Sequence, residues 1–372
     1  MKWNNNQQAF FLLLQAGLWE KEVRLSAFND VDYSEVNKMA EEQSVVGIIA
    51  AGIEHVIDSV IPKSVRLQFV GMTIQLEQRN SSMNEFVGVL VGIMRKAGIY
   101  ALLIKGQGVA QCYERPLWRA CGDVDFYLSV ENYENAKQFL IPRATQVETE
   151  NTESMHQGMT VDGYVVELHG TLKSGLSSRI DKGLLWIQND IIFEGRVRSW
   201  MNGKVQVFLP GVDEEVVYTF THILQHFYRG GIGIRQICDW SRLLWTYKDS
   251  LDLGLLESRL RKMGLMTEWK AFGAFAVEYL GMASDAMPFY SPSRKWKRKA
   301  KRICVFVMEV GNFGHNRDWS YFGKYPFLIR KLCSFGRRCG DLIRHARIFP
   351  IDSLRFFPSI VYNGLKNAAK GE

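Results

Sequence analysis

The hydrophobic periodicity of this 372-residue chain changes twice, and that change restricts its fold more than any single motif. Over residues 9–98 the pattern is helical. EVNKMAEEQSVVGIIAAGI places apolar residues three and four apart, and IPKSVRLQFVGMTIQLEQRNSSMNEFVGVLVGIMRKAG reads as one long helix or a pair, with no proline after Pro62. Gly98 suits a helix C-cap, and IYALLIKG then runs continuously apolar at strand length. GVAQCYE suits a short helix, PLWRACG a loop, and DVDFYLSV a strand leading into the helical ENYENAKQFL. MTVDGYVVELHG and GKVQVFLPG read as further strands. Helical spacing returns from Val212 through EEVVYTFTHILQHFY, QICDWSRLLWTYK and LLESRLRKMG. The pattern predicts an α+β chain: a small mixed sheet at about residues 96–210, helices on one of its faces, between helical regions at 1–95 and 211–372.

Composition narrows the class. Hydrophobic residues make up 47% and aromatic residues 12%, ample for packed cores. Six cysteines stand apart with no CxxC pair, which argues against a zinc ribbon or a disulfide framework and fits a reducing cytoplasm. The N-terminal apolar run is only about six residues long and follows Asn and Gln, unlike a cleaved signal. The most apolar internal runs, 45–53 and 87–94, fall far short of the roughly 20 residues that span a bilayer, so no transmembrane segment is expected. The net charge of +7 is uneven: residues 288–372 hold 18 Lys/Arg against 5 Asp/Glu, leaving −6 for the rest.

Residues 105–128, KGQGVAQCYERPLWRACGDVDFYL, concentrate the chemistry. Side chains two apart on a strand share a face, so Asp123 and Asp125 point one way while Val124 and Phe126 point into a core. Paired carboxylates repel, and a divalent cation with oxygen ligands relieves them. In YVVELHG the same rule sets Glu167 and His169 on one face, bringing a third carboxylate from another strand. Three carboxylates can hold two ions, the arrangement used for in-line displacement at phosphorus. Lys105 and Gly106 end the preceding strand, where backbone and ammonium can approach a triphosphate. On these residues alone the DxD pair also suits a glycosyltransferase or a surface hairpin.

LLIKGQGVAQCYERPLWRACGDVDFYL resembles the signature of the uncharacterised bacterial nucleotidyltransferase family within the DNA polymerase beta superfamily. HQGMTVDGYVVELHGTLKS is similar to its His-containing strand and Val-Glu-Leu-His, and THILQHFYRGGIGIRQICDWSRLL to its paired-histidine helix followed by Arg and Asp-Trp. The likeness covers roughly residues 10–250. It implies a nucleotidyltransferase core at 96–210 that moves an NMP moiety from an NTP to a hydroxyl acceptor on a small molecule, sugar or protein. Asp123, Asp125 and Glu167 would be the catalytic, metal-binding carboxylates for two Mg2+, or Mn2+, with Glu167 also helping to deprotonate the acceptor. Lys105, Gly106, Gln107, Arg119 and Gly122 would form the nucleotide side. The superfamily's loop serine is absent, because Gly106 is followed by Gln107. That departure leaves a competing expectation, an inactive nucleotidyltransferase fold that binds a nucleotide or a partner.

Other features have plainer readings beside the sharper ones. His222 and His226, four apart on a helix, suit a zinc site, a cleft lining or ordinary packing. Arg235 and Asp239 have the spacing of an intrahelical salt bridge. His169 is either a proton acceptor in the cleft or a structural strand-end group. GGIGIR follows a helix, so it reads as a helix-to-helix turn and not a dinucleotide loop. SRKWKRKAKRI, residues 293–303, with the aromatic and basic residues after it, suits a solvated helix face, a peripheral membrane contact or a nucleic-acid contact.

Overall fold

The computed structural model describes residues 3–28, 30–58, 61–314, 316 and 326–369. Four helices precede the sheet: α1 (Asn5–Trp19), α2 (Tyr33–Glu42), α3 (Val46–Glu54) and α4 (Lys63–Lys96). α1 begins at a capping box in which Asn4 accepts the Gln7 amide and the Gln7 side chain accepts the Asn4 amide. α1 and α3 cross in close contact through glycines. A Cβ on Gly17 would lie 1.9 Å from the Ile48 carbonyl oxygen, and one on Gly52 1.9 Å from that of Leu13. α4 is a single helix of 34 residues, ended by Gly98 at φ +76°.

The sheet contains β1 (Leu102–Ile104), β2 (Val124–Tyr127), β3 (Gln146–Val147), β4 (His156–Val161), β5 (Tyr164–His169), β6 (Val197–Asn202) and β7 (Val205–Pro210). Their order is β3-β4-β5-β2-β1-β7-β6. β2 runs parallel to β5 and β1 to β7, while the remaining pairs are antiparallel, so the sheet is mixed. Asp162 and Gly163, both at positive φ, turn β4 into β5 as a tight hairpin. β6 escapes a sequence reading because neither of its faces is buried, and only the Asn202-Gly203 turn marks it.

Helices cover both faces of the sheet, where the sequence pattern suggested one. On one face Leu103, Val124, Phe126 and Val166 pack with α4 and with α6 (Val130–Leu140). On the other, Leu102, Ile104 and Tyr127 join a larger core shared by α1 to α3 and by the later helices. Those are α7 (Ser178–Ile192), α8 (Val212–Arg229), α9 (Ile234–Thr246), α10 (Leu253–Met263), α11 (Met266–Glu278), α12 (Arg294–Val310), α13 (Phe327–Ala346) and α14 (Pro350–Ala369). The chain's two helical regions thus meet in one core on the second face.

α12 carries the basic run of 293–303. It buries Ala300, Ile303, Cys304 and Val307, and holds most of its basic side chains outward. Lys297 pairs with Glu278 at 2.8 Å, while Lys299 and Arg302 donate to the Ile348 and Arg347 carbonyls. Most of the aromatic and basic stretch that follows lies outside the described residues. Among the described residues no helix is long and apolar enough to cross a membrane.

Candidate active site

Asp123 immediately precedes β2 and Asp125 lies within it. Parallel register sets Asp125 beside Glu167 of β5, and antiparallel register sets it beside Ile104 of β1. Lys105 follows Ile104, and its Nζ lies 2.8 Å from Asp125 Oδ1. The backbone at Lys105 has φ 58° and ψ −147°, a region populated almost only by glycine. Strain of about 1–3 kcal/mol is concentrated at this one residue, which the Asp125 contact and the Gly106 turn hold in place. The loop between α5 (Gly106–Ala110) and β2 is fixed to α4, because Asn80 donates to the Leu117 and Arg119 carbonyls at 2.7 and 2.8 Å.

A relay of polar contacts crosses the sheet. His169 Nε2 is 2.8 Å from Asp125 Oδ1 and 3.5 Å from Glu167 Oε2, and His156 Nε2 is 3.1 Å from the same Glu167 oxygen. Lys105, with Tyr218 beside it, also reaches His222 Nε2 at 3.4 Å, and His222 meets His226 at 3.0 Å. His222 therefore lines the cleft, and His226 sits one turn behind it.

Charge within this relay is distributed unequally. Asp125's charge, with burial, pushes the Asp123 carboxyl up. Burial would raise Asp125 too, but Lys105 and then His169 outweigh it and hold Asp125 low. Glu167 is held far below the usual carboxylate range, its burial overcome by hydrogen bonds from His156 and His169. Burial pulls the Lys105 ammonium down, yet Asp125 more than compensates and Lys105 stays charged. His169 is raised because its carboxylate partners outweigh burial, whereas burial and Lys105 drop His226 to about 4.

A cleft of about 530 Å3, counted with its open mouth, is lined by Lys105, Gly106, Asp123, Asp125, His222 and Arg235, among others. Glu167 lies outside that lining and joins it through His169 and Asp125. Gly122 is exposed, and a Cβ there would meet nothing within 4 Å. Gln107 is buried and turned inward, its amide against Met83 Sδ and 3.5 Å from the Asp123 carbonyl.

Arg119 is also buried, and it grips Asp239 of α9 with bonds of 3.0 and 2.6 Å. Tyr113 donates to the same carboxylate at 2.7 Å. The spacing of Arg235 and Asp239 had suggested an intrahelical bridge; a desolvated two-point guanidinium contact is the stronger alternative and takes Asp239 instead. Arg235 donates to the Ala120 carbonyl, and its buried Nε has no partner among the described residues. Burial, and then the nearby Arg119 charge, lower its pKa against the opposing pull of Asp239 and Asp123.

Sequence reasoning passed over His156, Tyr218 and the orientation of Arg235 as site features. His156 was within reach: counting outward from the Asp162-Gly163 turn pairs it with His169. Nothing local marks Tyr218, and the motif that contains Arg235 does not say which way its side chain turns, since both residues come from helices beyond the sheet.

No curated protein and no solved structure matches the chain. A family model described as an uncharacterised nucleotidyltransferase matches residues 29–281, which spans the carboxylates, the strained Lys105 turn and α8 to α11. The chain belongs to that uncharacterised nucleotidyltransferase family.

Proposed function

We propose that the protein transfers a nucleoside monophosphate from an NTP to a hydroxyl of a small molecule, sugar or protein, releasing pyrophosphate. The observation that carries this reading is the meeting of Asp123, Asp125 and Glu167 at one place on the sheet, beside Lys105 on its strained turn. The residues fit a divalent cation: Asp123 stands against the Asp125 charge, which pushes its carboxyl up, and oxygen donors are available from adjacent strands. Asp123, Asp125 and Glu167 would hold Mg2+ or Mn2+, which when bound activates a hydroxyl and offsets charge on the leaving pyrophosphate.

The chain's own side chains carry the remaining roles. Lys105 and Arg235 present positive charge to the triphosphate from two sides of the cleft. Arg119, tied to Asp239, positions α9 and with it Arg235. Gly106 lets the backbone turn beside Asp123, and exposed Gly122 leaves the mouth open. Titrating each NTP calorimetrically with and without magnesium tests the binding, and pyrophosphate release tests turnover. Magnesium-dependent binding that disappears in Asp123→Asn is expected; metal-independent binding would overturn the reading. One feature favours a second reading, a nucleotide-binding module without turnover: Gln107 replaces the loop serine and faces the core. That reading predicts nucleotide binding with no pyrophosphate from any acceptor.

A further inference from the structure

We propose that His156, Glu167 and His169 form a site for one divalent transition-metal ion, with Glu167 the carboxylate shared between it and the all-oxygen position at Asp123 and Asp125. His156 and His169 are direct cross-strand partners on β4 and β5, and Glu167 lies two residues before His169 on the same face. One ligand atom from each lies within 4.8 Å of the others. Two donors that share an ion at bonds of about 2.0–2.1 Å stand roughly 3.0–3.4 Å apart. Glu167 Oε2 is already 3.1 Å from His156 Nε2 and 3.5 Å from His169 Nε2, so one edge of such a polyhedron is in place and a second is within about 0.1 Å of it.

Accessibility and chemistry agree with that geometry. The side chains of His156 and Glu167 are 30% and 28% exposed, so an ion can enter from solvent and keep water on its open positions. Imidazole nitrogen suits zinc, cobalt or nickel, whereas magnesium takes oxygen and keeps its water. Asp125 Oδ1 lies 2.8 Å from that same His169 Nε2, so an ion bound there displaces the shared proton and leaves Asp125 beside it as a further oxygen donor. The site itself stands on geometry alone. Its assignment as one of the two ions in nucleotidyl transfer rests on the function proposed above.

The test uses full-length, tag-free protein stripped with a chelator and titrated with Co2+, read by its visible ligand-field absorption. One equivalent should bind, be displaced by Zn2+ and resist millimolar Mg2+. His156→Ala and His169→Ala should each weaken Co2+ by at least about a hundredfold, with melting followed by circular dichroism. Should either variant unfold, His156→Asn at the half-exposed strand start gives the same readout. Absence of the Co2+ spectrum in the wild type, or binding that survives His156 replacement in a folded variant, would overturn the site. Asp123→Asn separates the two proposals. Failed magnesium-NTP binding with Co2+ binding kept in the wild type removes the nucleotidyl reading alone; the reverse pattern removes this site alone.

Discussion

At the scale of single residues, the two aspartates of one motif should behave oppositely. Asp125 is 3% exposed and balances both Lys105 and His169. Asp125→Asn leaves a buried ammonium without its partner, and a loss of about 3 kcal/mol in chemical denaturation is expected. Asp123 faces Asp125's charge, and among the described residues no cation lies as close to its own carboxylate as Lys105 does to Asp125. Asp123→Asn removes that repulsion, so the denaturation midpoint should hold or rise while magnesium-NTP binding is lost. A variant that lost both stability and binding would mean Asp123 supports the fold and not a ligand. The strained Lys105 backbone belongs to the same scale. Strain of that kind persists only where surroundings over-determine it, and here they are the Asp125 pair and the Gly106 turn.

At the scale of elements, the site depends on how tightly its supports are packed. α9 is held to the β1–β2 connection by the buried Arg119–Asp239 pair, and α4 holds that same connection through Asn80. Behind them, α1 and α3 cross at glycines with no room for a side chain. Gly52→Ala pushes a methyl against the Leu13 carbonyl and should cost about 2 kcal/mol by forcing the two helices apart. A thermal melt of that variant indistinguishable from the wild type would show that the crossing can relax. Elements with strong local signals, namely the continuous apolar run of β1 and the alternation of β2, were legible in the sequence; MTVDGYVVELHG reads there as a strand, and the structure breaks it into the β4–β5 hairpin at its Asp-Gly turn. β6 was not legible, because a strand with neither face buried carries no alternation to read.

At the scale of the whole molecule, the C-terminal helices are joined to the body through a buried acid. Glu268 of α11 is fully buried near Tyr228 of α8 and Asp352 of α14. Burial, and then Asp352, pushes its carboxyl well up, so the folded chain keeps a proton that the unfolded chain releases. Stability from this group is complete below the ordinary glutamate range and declines as pH rises toward the folded value. Glu268→Gln stays neutral throughout; it should match the wild type near about pH 4 and exceed it near about pH 8 in urea denaturation. Equal stability at both values would show that Asp352 or solvent accommodates the charge. The sequence by itself determined the α+β order, the shared face of Asp123 and Asp125, the strand partner Glu167 and the family, since period, turn chemistry and motif order are local properties. Tertiary structure alone decided which cations meet which anions, that Arg235 and not Arg119 is left with an unpaired donor, and that both helical regions fill one core. Those outcomes depend on groups from 20 to more than a hundred residues apart, Lys105 with Asp125 and Arg119 with Asp239, being desolvated together, and no local pattern encodes which of several available charges will be buried beside which.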